Sequence, residues 1–205
     1  MKYMIITILI VLALLTLTKK ETNNTMTLLD NNTILAFGDS LTYGYGAKAN
    51  ESYPSILSDL THIHVLNAGV NGETSDAGVR RLPQLLQNSS IKLMILCFGG
   101  NDILQKRSIS SLKQNLKTMI QMAKAKNIEV LLISVPNLSL LGLSPLALYE
   151  EVAEEENIPL LDGVLSTILS DPSLKSDQIH PNALGYKMMA DAIYTHLKAQ
   201  GWIAE

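Results

Sequence analysis

Two hydrophobic patterns alternate along the chain from residue 33 onward. Short, largely apolar runs are typical of strands that are buried on both faces, and they occur at 34–37, 62–67, 93–98, 130–135 and 158–161. Between these runs, apolar residues recur at helical spacing, which predicts helices over 53–60, 74–86, 110–126, 144–156 and 182–200. The pattern therefore indicates strands that are connected by helices.

Such an alternation predicts an α/β fold, a three-layer α/β/α sandwich with a roughly five-stranded parallel sheet of the flavodoxin-like type. The sequence shows no internal repeat, so we expect residues 33–205 to form one domain. In an open parallel sheet, functional sites lie beyond the carboxyl ends of the strands. The residues that directly follow each strand are therefore the first candidates for chemistry.

The first twenty residues differ from this body. Residues 3–18 carry no charge and are mostly aliphatic, with Lys2 before them and Lys19 and Lys20 after them. Sixteen residues are few for a membrane span, which needs about 20, and many for the apolar part of a signal peptide. We expect an export segment over 1–20, either cleaved or kept as a membrane anchor, and a polar linker over 21–32. A buried core helix is the alternative. Export would make the body periplasmic or secreted, with membrane contact only through an uncleaved segment.

Charge and cysteine content exclude several functions. The chain has 16 basic and 19 acidic residues, and removing residues 1–20 removes three lysines and no acid, which leaves a net charge of −6. Nucleic-acid binding generally needs a basic surface, so we expect no nucleic-acid partner. The single cysteine, Cys97, excludes an internal disulfide and a cysteine-based zinc site. We expect no metal and no cofactor, and a monomer is the default oligomeric state.

Polar and glycine-rich segments follow the first three strands. They are Gly38-Asp39-Ser40-Leu41, Asn67-Ala68-Gly69-Val70-Asn71-Gly72 and Gly99-Gly100-Asn101-Asp102, and Asp177-Gln178-Ile179-His180 lies near the end of the chain. Together they offer a hydroxyl, glycine amides, a side-chain amide and an Asp/His pair. Acyl transfer needs a nucleophile, a base and donors for the oxyanion. The N–H groups of Ser40 and Gly69 and the Asn101 amide are the candidate donors.

These segments resemble the four sequence blocks of the GDSL, or SGNH, hydrolases, in order and in spacing. The resemblance covers about residues 33–200 and is strongest to the bacterial thioesterase I, arylesterase and lysophospholipase enzymes. It implies that Ser40 is the nucleophile, that His180 is the general acid and base, and that Asp177 orients His180. It also implies an oxyanion hole of Ser40, Gly69 and Asn101. The expected activity is hydrolysis of carboxylic esters or thioesters through an acyl-Ser40 intermediate.

The leucine-rich stretch 138–148 follows the fourth strand and therefore lies near the same edge of the sheet. It is either ordinary core packing or an apolar wall for an acyl chain. The candidate substrate-binding residues are Leu138, Leu140, Leu141, Leu143 and Leu146. A lipid-like or aryl acyl ester is the expected small-molecule substrate. The alternatives are a carbohydrate O-acetylesterase of the same family and a non-catalytic, membrane-tethered binding module.

Overall fold

A computed structural model describes residues 27–139, 142–144 and 146–204. The predicted export segment, 1–20, and most of the predicted linker lie outside the described residues. Leu140 and Leu141 also lie outside them, and the side chain of Leu138 is not described. Within the described residues, no helix combines the length and the apolarity needed to cross a membrane.

The centre of the molecule is a parallel sheet of five strands, as the hydrophobic pattern predicts. The described residues contain seven strands in all, of which five form this sheet. In chain order, they are β1 (Thr33–Gly38), β2 (His64–Gly69), β3 (Ile91–Cys97), β4 (Glu129–Ile133), β5 (Asn137–Ser139), β6 (Gly142–Ser144) and β7 (Leu160–Leu161). The sheet has the order β2-β1-β3-β4-β7, and β5 and β6 form a separate antiparallel pair. β1 and β3 are buried almost throughout, which explains their continuously apolar sequences.

Eight α-helices lie among the described residues. They are α1 (Ser40–Tyr43), α2 (Tyr53–Thr61), α3 (Ser75–Leu85), α4 (Gly100–Leu104), α5 (Ile109–Lys124), α6 (Leu148–Glu156), α7 (Val164–Ser170) and α8 (Ala183–Ala199). Helices α2, α7 and α8 pack together, and α3, α5 and α6 form a second group. The predicted α/β sandwich is confirmed. The three short helices α1, α4 and α7 were not predicted, because two turns or fewer show no clear helical periodicity.

Two boundaries differ from the pattern for local reasons. β2 begins at His64 rather than at residue 62, because His62 ends α2 in the left-handed conformation, with φ of 57°. α6 begins at Leu148 rather than at residue 144, because 142–144 pair with 137–139 in the β5–β6 hairpin.

The chain packs against the domain already before residue 33. Leu28 is buried, and its N–H donates to the Trp202 carbonyl over 2.7 Å.

Strand register brings the candidate segments together. Gly38, the last residue of β1, is paired with Gly69 at the end of β2 and with Cys97 at the end of β3. The three loops that follow these strands therefore leave the sheet side by side. This common edge is where the polar residues of the site are found.

Candidate active site

Ser40 lies at the sharp turn from β1 into α1. The side chain of Asp39 caps α1, and its Oδ1 accepts the N–H of Leu41 over 3.0 Å. A short polar side chain at this position satisfies a free helix N–H, which is why the strand can turn directly into a helix. The turn leaves the Ser40 side chain partly exposed at the carboxyl edge of the sheet.

The His180 ring contacts both Ser40 and Asp177. Its Nε2 atom lies 2.9 Å from Ser40 Oγ, and its Nδ1 atom lies 2.8 Å from Asp177 Oδ2. A carboxylate can only accept a hydrogen bond, so the Nδ1 atom carries the proton. Nε2 is then free to accept the hydroxyl proton of Ser40. This is the arrangement of a nucleophile, a base and a group that orients the base.

Asp177 is held by its own loop. Its Oδ1 atom accepts the backbone N–H groups of Ile179 and His180 over 2.8 and 2.9 Å. Partial burial acts to raise the pKa of Asp177, but the hydrogen bonds from the Ile179 N–H and from His180 outweigh it and hold the pKa below the ordinary value. The Asp177 carboxylate is therefore ionised in the folded protein at neutral pH.

Tyr45 is a neighbour of the site that the sequence reasoning did not assign. Its ring lies 4.5 Å from the His180 ring, centroid to centroid, at a tilt of 44°. Its carbonyl accepts the Tyr186 hydroxyl over 2.8 Å, which fixes the segment to helix α8. The ring therefore covers one side of the imidazole. Only the tertiary structure reveals this contact, because the two residues are far apart in sequence.

Asn101 lies in the first turn of α4, directly after β3. Its Nδ2 atom lies 3.0 Å from the Glu73 carbonyl and 3.3 Å from Asp39 Oδ2. The next residue, Asp102, accepts the N–H and the hydroxyl of Ser75 over 2.9 and 2.7 Å. Asn101 lines the same cavity as Ser40, and the adjacent buried carboxylate of Asp102 ties its helix to α3.

The structure does not place Gly69 where an oxyanion donor is expected. Gly69 is the last residue of β2, its N–H donates to Asn67 Oδ1 over 3.0 Å, and it does not line the cavity described below. An added Cβ at Gly69 would overlap the backbone of Tyr43, so glycine is needed there for close packing. Gly72 lies instead beside Ser40 and Asn101 in the cavity lining, in the left-handed conformation with φ of 75°. The Asn71-Gly72 dipeptide is a typical turn sequence and is the signal in the chain for this conformation.

Asp39 is buried beneath the site. Burial raises its pKa to about 7, with the charges of Asp102 and Glu73 adding to this effect, while the Leu41 N–H and the Asn101 amide act against it. The group therefore changes its charge in the neutral range. Its Oδ2 atom accepts a hydrogen bond from the Asn101 amide over 3.3 Å.

A cavity of about 190 Å³ opens beside Ser40 and His180. Its apolar lining comes from four separate segments of the chain through Leu104, Val135, Leu169 and Ile179, with Tyr45 and Leu41 beside Ser40 and His180. Leu143 and Leu146 are the two candidate substrate-binding leucines whose side chains are described. They are partly buried and do not line this cavity, and Leu146 packs against the hydrophobic core. Among the described residues, no three His, Cys, Asp or Glu side chains are close enough to hold a metal ion.

Comparison with known proteins gives consistent relatives. A sequence model of the GDSL-like lipase/acylhydrolase family matches residues 36–188. The thioesterase 1/protease 1/lysophospholipase L1 of Escherichia coli K12 is 32% identical over 166 residues, which cover 78% of this chain and 80% of that protein. An arylesterase of Vibrio mimicus is 30% identical over 181 residues, or 84% of each chain. The crystal structure of the psychrotrophic esterase EstA from Pseudoalteromonas sp., inhibited by monoethylphosphonate, superimposes with a TM-score of 0.72 at 26% identity. That superposition covers 82% of this chain and 97% of EstA.

Proposed function

The chain belongs to the GDSL-like lipase/acylhydrolase family and is an ester-hydrolysing enzyme, and we propose that it acts on acyl esters or thioesters through an acyl intermediate on Ser40. The observation that carries this proposal is the hydrogen-bonded series Ser40–His180–Asp177. Its two distances, 2.9 and 2.8 Å, are those of a nucleophile ready to lose its proton to a base that is already oriented.

The reaction would proceed in two halves. Ser40 Oγ attacks the carbonyl carbon of the ester while its proton passes to His180 Nε2. The tetrahedral intermediate collapses when His180 returns this proton to the leaving oxygen or sulfur, which leaves the acyl group on Ser40. A water molecule then attacks the acyl carbonyl carbon while one of its protons passes to His180 Nε2. The second intermediate collapses when His180 returns this proton to Ser40 Oγ, which breaks the ester bond and releases the free acid. Asp177 accepts the hydrogen bond from the Nδ1–H group throughout and stabilises the imidazolium.

The oxyanion of the intermediate needs donors on the face opposite the base. We assign this role to the N–H groups of Ser40 and Gly72 and to the side-chain amide of Asn101. Gly72 replaces Gly69 in this set, because Gly72 and Asn101 line the cavity and Gly69 does not. The Asn101 N–H that faces the oxyanion would be the one now 3.3 Å from Asp39 Oδ2, while the other stays on the Glu73 carbonyl at 3.0 Å. Each such donor typically contributes about 100- to 1000-fold to the rate.

The substrate class follows from the cavity. Most of its lining is apolar, so it favours an acyl or aryl group over a sugar, and burial of each methylene contributes about 0.8 kcal/mol. The names of the relatives include thioesterase, lysophospholipase and arylesterase. We therefore propose lipid-like acyl or aryl esters as substrates. The uncharged stretch 3–18 supports an exported location for the enzyme, with membrane contact only through that stretch if it is retained.

Labelling with a fluorophosphonate probe tests the chemistry. Phosphonates react with an activated serine, and the EstA structure holds a phosphonate-inhibited relative. Wild-type protein should be labelled at Ser40, and Ser40→Ala should be neither labelled nor active, whereas Ser173→Ala, at an exposed serine, should behave as wild type. Equal labelling of Ser40→Ala, or an unlabelled wild-type protein, would exclude the proposed mechanism and favour a binding module.

The acyl preference is tested with p-nitrophenyl esters of increasing chain length. We expect kcat/KM to rise from acetate to medium-chain esters, because the additional methylenes contact the apolar lining. A clear preference for acetate would favour the O-acetylesterase alternative and contradict the lipid-like substrate.

A further inference from the structure

Arg81, on helix α3, contacts three partners beside the candidate active site. Its guanidinium group forms a bidentate ion pair with the Glu73 carboxylate, with Nε at 3.0 Å from Oε1. It also donates to the Ala68 carbonyl at the end of β2 over 3.0 Å, and it lies 4.6 Å above the ring of Phe37 in β1. Only 8% of the Glu73 side chain and 27% of the Arg81 side chain are exposed.

Glu73 belongs to the segment 70–74, which we call the oxyanion loop because it contains Gly72. The loop begins where the Val70 N–H donates to the Gly38 carbonyl over 3.1 Å. The backbone carbonyl of Glu73 accepts the Asn101 side-chain amide over 3.0 Å. One residue of this loop therefore has its side chain held by Arg81 while its carbonyl orients Asn101. Its neighbour Gly72 lines the cavity beside Ser40.

We propose that Arg81 is a positioning residue that acts through Glu73 to hold two oxyanion donors, the Gly72 N–H and the Asn101 amide, at their places relative to Ser40. The proposal rests on the proposed function. Arg81 does not line the cavity and touches no reacting atom. Its contribution is geometric, because oxyanion donors act only when they are held in place before the charge develops.

The geometry explains why an arginine suits this position. The planar guanidinium can bind both carboxylate oxygens, donate to a strand carbonyl and stack on an aromatic ring at the same time. A lysine keeps the positive charge but makes single, point-like contacts, so it would leave Glu73 free to rotate. The net gain in stability from a largely buried ion pair is small, because the loss of hydration offsets the attraction. We therefore expect Arg81→Lys to fold and to displace the two oxyanion donors, the Gly72 N–H and the Asn101 amide.

The same helix provides a matched control. Arg80 forms an ion pair with Asp76 on the surface, at 2.8 Å, and 69% of its side chain is exposed. Arg80→Lys changes the same chemical group one residue away without touching the oxyanion loop. Glu73→Gln is the second test variant, because it keeps the size of the side chain while it removes the charge that holds Arg81.

The experiment measures kcat and KM per active site, with the sites counted by fluorophosphonate labelling of Ser40. It also measures inhibition by an alkyl boronic acid, whose tetrahedral adduct with a serine places a negative oxygen where the oxyanion would form. For Arg81→Lys and Glu73→Gln we expect kcat per labelled site and boronic-acid affinity to fall together by about 10- to 100-fold, with KM changed by less than about threefold. Arg80→Lys should stay within about twofold of wild type in all three.

The outcomes separate this inference from the proposed function. A wild-type enzyme that is not labelled at Ser40 contradicts the proposed function itself. If the wild type is labelled but both variants keep wild-type kcat per labelled site and wild-type boronic-acid affinity, the positioning role is wrong. A lower yield of labelled sites with unchanged kcat per site would show that Arg81 acts only on folding, which also overturns the inference. If Arg81→Lys does not fold, Glu73→Gln decides by the same measurements.

Discussion

The side chains of Ser40 and His180 lie within hydrogen-bond distance, with Oγ 2.9 Å from Nε2. The ring of Tyr45 lies against the imidazole, and 12% of the His180 side chain remains exposed. In the proposed mechanism, a base held this close to the hydroxyl can take its proton during attack without any prior rearrangement. This contact is the basis of the predictions on catalysis.

Removing the base should abolish most of the activity. We expect His180→Ala to lower kcat by about 100- to 10 000-fold, because among the described residues His180 is the side chain within hydrogen-bond distance of Ser40 Oγ that can accept its proton. The control is His64→Ala, which changes an exposed histidine on the edge strand β2 and should leave kcat unchanged. Turnover of a p-nitrophenyl ester by both variants gives the comparison. Near-normal turnover of His180→Ala would mean that another group is the base.

Replacing the orienting carboxylate should lower kcat with little change in KM. In Asp177→Asn an amide N–H can face Nδ1, which favours the tautomer that leaves Nε2 protonated and unable to act as a base. The analogous change in serine proteases costs up to about 10 000-fold. Asp191→Asn, which removes an exposed carboxylate paired with Lys187, is the matched control. If Asp177→Asn turns over as fast as this control, Asp177 does not orient the base.

The two glycines of the second loop should respond differently to alanine. Gly72→Ala meets no atom within 4 Å of the added Cβ, so we expect a folded protein that is destabilised only by the left-handed backbone, by about 1 kcal/mol. Its kcat should fall by about tenfold or more, because relief of that strain turns the Gly72 N–H away from the oxyanion. Gly69→Ala should instead lower the melting temperature strongly, since its Cβ overlaps the Tyr43 backbone. Thermal unfolding and kcat per labelled site are the measurements. A fully active Gly72→Ala would contradict the assignment of the Gly72 N–H as an oxyanion donor.

The acyl chain should contact the cavity wall rather than the β5–β6 hairpin. We expect Leu104→Ala to lower kcat/KM for medium-chain p-nitrophenyl esters by about tenfold and to leave acetate hydrolysis nearly unchanged. Leu143→Ala, at a partly buried hairpin leucine outside the lining, should change neither by more than about twofold. A larger effect of Leu143→Ala on the medium-chain esters would return the acyl wall to the leucine-rich stretch 138–148.

Burial of Asp39 should make stability depend on pH in the neutral range. The pKa of Asp39 in the folded protein, about 7, lies above its ordinary value of 3.8, so the folded state binds this proton more tightly than the unfolded state. The contribution of Asp39 to the free energy of unfolding is therefore fully present below pH 3.8 and is lost as the pH rises through 7. Urea unfolding at several pH values between these limits should show that the free energy of unfolding of the wild type decreases as the pH rises. The decrease should be smaller in Asp39→Asn. Parallel pH profiles for the two proteins would contradict this prediction.

Sequence alone determined the sheet and the family, and it predicted the side chains that the proposed mechanism uses. Strands buried on both faces must be continuously apolar, so β1, β3 and β4 are visible as uninterrupted runs. Parallel strands end at the same edge, which is why the segments around Ser40 and Asn101 could be expected to meet. The resemblance added Asp177 and His180, whose loop has no strand pattern that would place it.

Only the tertiary structure decided which backbone amide and which apolar side chains surround Ser40. Gly69 and Gly72 are both glycines after the same strand, but one is needed for packing against Tyr43 and the other has the left-handed φ and faces the cavity. The proposed acyl wall consists of Leu104, Leu169 and Ile179, which lie in separate segments of the chain and share no sequence pattern. The Arg81–Glu73 contact likewise depends on where a helix meets a loop. Such contacts depend on three-dimensional distance, and hydrophobic periodicity reports only which face of its own element a residue occupies.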